Sequence, residues 1–84
     1  MNKQVIFKPA KTYAFALKQA KTAVREIEAS GWSAEELGIE ILKVEETFYV
    51  VKNAYKPSPF DTIWSTNDAS QRVSVAELMG RVGA

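Results

Sequence analysis

Apolar residues in the first third of the chain recur at steps of three and four. Tyr13, Ala16, Leu17, Ala20, Ala23, Val24 and Ile27 fall on one stripe of a helix predicted from Thr12 to Ser30. Alanine at three of those positions lets the helix lie close to a flat sheet. Gly31 offers the left-handed residue that ends it. Ahead of the helix, Lys3 to Lys8 reads as a short strand built on Val5, Ile6 and Phe7 and stopped by Pro9, which has no N–H to give a ladder. Behind it, Ser33 and Glu36 stand at capping-box spacing. They predict one helical turn over Ser33 to Leu37, closed by Gly38 and with Trp32 packed beneath it.

Ile39 to Glu45 and Thr47 to Tyr55 are rich in Ile, Val, Phe and Tyr, the composition of two strands joined at Glu45-Glu46. Two features leave a helix open as the alternative. Glu-Glu is poor chemistry for a two-residue turn, and Ile41, Val44, Phe48 and Val51 also fit a helical stripe. Lys56-Pro57-Ser58-Pro59 reads as an extended loop, Asp61 to Thr66 as a further strand and Asn67 to Ser70 as a turn. Ser74 with Glu77 then opens a short helix through Val75, Leu78, Met79 and Val82 to Gly83. The predicted class is α+β: a small, mostly antiparallel sheet in the order β-α-β-β-β, with a short C-terminal helix, packed on one long amphipathic helix. With only one long helix, the other face of the sheet and at least one edge stay bare unless the C-terminal helix or a second copy covers them.

Eighty-four residues fit one domain, taken as residues 1–84. The chain has no cysteine, so neither disulfides nor thiolate metal sites supplement its core, and a reducing cytoplasm is the expected location. Nothing near the N-terminus has the length of a signal-peptide core, and no apolar run reaches a membrane span, so no membrane contact is expected. Histidine is also absent, which removes the usual general base and the commonest metal ligand. Glu35/Glu36 and Glu45/Glu46 are adjacent pairs that read as solvated charge, and no glycine spacing matches a phosphate loop. The sequence therefore predicts no enzyme, no metal and no cofactor.

Charge is unevenly spread beneath a net of +1. Residues 1–25 hold Lys3, Lys8, Lys11, Lys18, Lys21 and Arg25 and no acid. Residues 26–46 hold Glu26, Glu28, Glu35, Glu36, Glu40, Glu45 and Glu46 against Lys43. This polarity opposes the field of the long helix, which favours acids at its start and bases at its end. Two candidate surfaces result. One is an acidic hairpin with Glu35, Glu36, Glu40, Glu45 and Glu46; the other is a basic helix face with Lys11, Lys18, Lys21 and Arg25 around Phe15, which lies about 140° from the centre of the apolar stripe. A surface whose opposite charges neutralise one another after folding is the plainer expectation. Phe15 either stands exposed or tucks under the loop from Pro57 to Phe60 or the C-terminal helix. Trp32, Trp64, Tyr49 and Tyr55 are expected in the core or on the sheet.

The short first strand, the alanine-rich run from Ala14 to Val24 and the charged hairpin from Gly38 to Tyr55 together resemble small phage-encoded anti-CRISPR proteins of type I systems, over about two-thirds of the chain. No functional residue carries across. The resemblance implies a non-enzymatic inhibitor that sits on a subunit of an RNA-guided surveillance complex and blocks DNA binding or nuclease recruitment. From the residues themselves, the expected activity is a protein-binding inhibitor or adaptor using the acidic hairpin, with a basic nucleoprotein complex as partner; the resemblance implies that this complex is a CRISPR effector. A small nucleic-acid-binding module using the basic helix face is the first alternative. A structural homodimer that buries the second sheet face is the other.

Overall fold

The protein is described by a computed structural model over residues 1–80. β1 (Asn2–Val5) leads to α1 (Tyr13–Ala29), then β2 (Glu40–Val44), β3 (Thr47–Asn53), β4 (Ile63–Ser65), a single 3-10 turn (Thr66–Asp68), β5 (Gln71–Ser74) and α2 (Val75–Leu78). The strands form one antiparallel sheet in the order β4-β1-β3-β2-β5, and the α+β class expected from the sequence holds. The sequence showed four of these strands; β5 is an addition. The C-terminal helix begins at Val75 as predicted, but Ser74 makes no side-chain cap to it, and the predicted continuation to Val82 and Gly83 lies outside the described residues.

α1 is defined at both ends. Thr12, in extended conformation, accepts a hydrogen bond from the Phe15 N–H at 3.2 Å and caps the first turn. At the other end Gly31 takes φ 87°, while the Trp32 N–H reaches the Ile27 carbonyl and the Gly31 N–H reaches that of Glu28. This Schellman closure satisfies carbonyls that would otherwise face solvent. Ala16, Ala20 and Val24 are fully buried on Ile39, Ile41 and Val50, with Val75 and Leu78 closing the side. Small side chains on this stripe bring the helix down onto β2 and β3.

A second apolar cluster occupies the opposite face of the sheet. Leu42, Val44 and Val51 are buried there, flanked by Val5, Tyr49, Trp64 and Ala69. This corrects the expectation of a bare face, and the connection from β4 to β5 explains it. Those strands are the two edges, separated in a flat sheet by about 19 Å for four interstrand spacings, with a further offset along the strands. From Ser65 to Gln71 there are six chain steps, of which three lie in a 3-10 turn, and these reach only about 16 Å. The sheet must therefore twist and curl until its edges approach, and residues 66–70 cross the face opposite α1. Ala69 packs there, and the Ser70 N–H bonds the Lys43 carbonyl at 2.7 Å.

Between Ser33 and Gly38 the chain forms the single helical turn expected: the Leu37 N–H bonds the Ser33 carbonyl at 3.1 Å, the Ser33 hydroxyl accepts from the Glu36 N–H at 3.2 Å, and Gly38 at φ 70° closes it. Trp32 does not pack beneath it and is 66% exposed. Ala34, fully buried, is the side chain this turn adds to the core in its place. Tyr55 is exposed too, with its hydroxyl on the Glu36 carbonyl at 2.9 Å, whereas Tyr49 and Trp64 lie on the sheet as expected, ring centroids 5.6 Å apart.

Candidate functional site

The acidic residues do not form one surface. Glu35 and Glu36 sit in the turn ahead of β2, and Glu45 and Glu46 form the hairpin tip at its far end. Five residues of strand separate Glu40 from Glu45 by about 16 Å. Glu40 itself is turned into the second sheet face, where its carboxylate meets Lys3 Nζ at 3.3 Å and Arg72 Nη2 at 2.9 Å. Lys3 is buried and donates in addition to the Gly38 carbonyl at 2.9 Å and to Asn53 Oδ1 at 2.7 Å. One polar string thus ties β1, β3, β2 and β5 across the sheet, and Glu40 is unavailable to a partner.

The basic residues stay together. Lys18, Lys21 and Arg25 follow one another at helical steps of three and four on the outer side of α1, about 10 Å from first to last. All three are exposed, and none forms an ion pair with a described residue. Lys11 stands just ahead of the N-cap, one turn before Phe15. Phe15 is 54% exposed, which settles its position on the outer face. It lies beside Phe7 in a shallow groove completed by Lys18, Gln19 and Thr22. A second shallow groove, lined by Ala14, Leu17, Lys18, Lys21 and Arg25, adjoins it through the shared Lys18.

The sequence did not single out Phe60, which is 95% exposed. It stands in the loop from β3 to β4, a loop held by its own atoms. The Ser58 N–H donates to Asp61 Oδ2 at 2.6 Å, the Phe60 N–H to Ser58 Oγ at 3.3 Å, and the Asp61 N–H to the Ser58 carbonyl at 3.1 Å. Pro57 and Pro59 fix two further backbone angles. The signal available in the sequence was an aromatic residue following Pro-Ser-Pro, with Ser58 and Asp61 at the spacing of three that lets the carboxylate reach back to the Ser58 N–H.

Among the described residues, no group of three or more His, Cys, Asp or Glu is gathered where a metal ion would be held, and no helix is long and apolar enough to cross a membrane. Compared with known proteins, the chain matches no family model, no curated protein and no solved structure.

Proposed function

We propose that this chain is a non-enzymatic inhibitor or adaptor of the cytoplasm that works by docking on a partner protein, with Phe60 as its anchor. The observation that carries the reading is the Phe60 loop. Its side chain is almost wholly in water, yet the backbone beneath it is fixed by two prolines and three local hydrogen bonds. A loop needed only to join β3 to β4 gains little from such rigidity. A loop that inserts an aromatic ring into a pocket gains from it directly, because little ordering entropy remains to be lost on binding. Filling an apolar pocket with a phenyl ring contributes about 1.5–3 kcal/mol.

The sequence resemblance nominates a type I RNA-guided surveillance complex as the first partner to test. Immobilised protein is titrated with purified complex by interferometry, using wild type, Phe60→Ala and Phe60→Asp. Wild type is expected to bind and Phe60→Asp to weaken binding at least tenfold with an unchanged melting temperature. No binding by wild type removes that partner. Undiminished binding by Phe60→Asp removes the anchor.

A further inference from the structure

We infer that the outer face of α1 is a binding site for single-stranded nucleic acid, with phosphates on Lys11, Lys18, Lys21 and Arg25 and a base stacked on Phe15. This goes beyond docking through Phe60 and uses a different element. Two observations meet there. The cations of α1 are exposed and free of ion pairs to described residues, so their charge is directed at solvent. An aromatic ring stands among them at the edge of an apolar groove shared with Phe7, the arrangement that lets a base leave water while its phosphates stay on the bases beside it.

The geometry favours a single strand over a duplex. A phenyl ring standing beside a shallow groove has nothing to stack on in a closed double helix, where every base face is already covered. In an unpaired strand each base offers one. The neighbouring groove between Leu17 and Arg25 continues the track past Lys18, so a strand of a few nucleotides follows the helix axis.

The test is fluorescence anisotropy with labelled dC15, dT15 and a mixed 15-base-pair duplex, at 25 to 200 mM salt. The expected result is binding to dC15 that weakens with a log–log salt slope of about −2 to −3, from three or four phosphate contacts at about 0.7 each. Replacing Lys21→Ala or Arg25→Ala is expected to lower the slope by about 0.7. Phe15→Ala is expected to leave the slope alone and weaken binding about tenfold. dC15 and dT15 are expected to bind alike, because stacking on a ring does not read base identity, and the duplex least. All these side chains are on the surface, and unchanged melting temperatures confirm that the variants fold. No binding to any oligonucleotide overturns the site. Binding that heparin matches at equal charge and that Phe15→Ala does not weaken reduces it to attraction for any polyanion, acidic proteins included, and overturns it equally. Duplex binding as tight as that of dC15 overturns the assignment to an unpaired strand. Phe60→Asp is the control: oligonucleotide binding that survives this change separates the site from the docking loop.

Discussion

Replacing Glu40 with leucine tests whether the polar string across the second sheet face holds the fold. Lys3 has a side chain only 3% exposed and three acceptors, of which Glu40 alone is charged. Glu40→Leu leaves its ammonium the neutral Gly38 and Asn53 oxygens and no counter-ion. Breaking a buried pair from one side costs about 3–5 kcal/mol. The lower end applies, since two hydrogen bonds to Lys3 survive and Arg72, half exposed, turns to water. A chain of this length has about 4–13 kcal/mol of stability in all, so a loss of about 3 kcal/mol takes a large part of it. The melting temperature should fall by roughly 12–24 °C. Urea unfolding followed by tryptophan fluorescence reads the change. The decisive comparison is Lys3→Met/Glu40→Leu, in which no buried charge is left unpaired. The double variant should be more stable than Glu40→Leu alone, a sign reversal that additive losses cannot give. A loss under about 1 kcal/mol for Glu40→Leu, or a double variant less stable than the single, refutes the reasoning.

Gly38→Ala should cost about 2 kcal/mol or more in the same unfolding assay, because φ 70° is strained for alanine and its Cβ would overlap the Asn53 amide that receives Lys3. Glu45→Gly should stabilise by about 0.5 kcal/mol: Glu45 takes φ 57° at the hairpin tip, a strain glycine relieves and then partly returns through its freer unfolded chain. Ala69→Asp should cost about 2 kcal/mol by setting a carboxylate against Leu42, Val44 and Val51, and a neutral result by thermal melting would mean that residues 66–70 do not close that face.

α1 was legible because its signals agree. Its stripe, its Thr12 cap and Gly31 all serve one element, and each is local in sequence. The hairpin was legible in composition but ambiguous in period, and the reason is physical. Ile41 and Val50 face α1 while Leu42 and Val51 face the second cluster, so β2 and β3 are buried on both sides and lose the alternation that marks a half-exposed strand. β5 escaped notice because Gln71-Arg72-Val73-Ser74 carries one apolar residue. It is a strand by virtue of pairing with β2 at the edge, a contact about thirty residues away in sequence. The acidic surface failed for a related reason. Nearness along the chain placed Glu36, Glu40 and Glu45 in one group, whereas an extended strand spreads them and its pleat turns Glu40 inward. A helix instead keeps residues three and four apart on one side, so the basic face survived folding.

The division between charges that serve the fold and charges that do not gives the two proposed surfaces their meaning. Glu40, Lys3 and Arg72 are joined across four strands, and removing one of them strains the rest. On α1 the order is reversed: the first turn has no acid, the last turn no base, Lys11 precedes the positive end and Glu26 stands near the negative one. Each such exposed charge opposes the helix field by about 0.3–1 kcal/mol. Two of them forfeit roughly 1 kcal/mol, tolerable beside the whole but of no use to the helix. Phe15 and Phe60 repeat the pattern with apolar surface, exposed where burial would have stabilised. Side chains that the fold neither needs nor hides can be exchanged without unfolding the chain, and binding lost on their exchange then reports on contact alone.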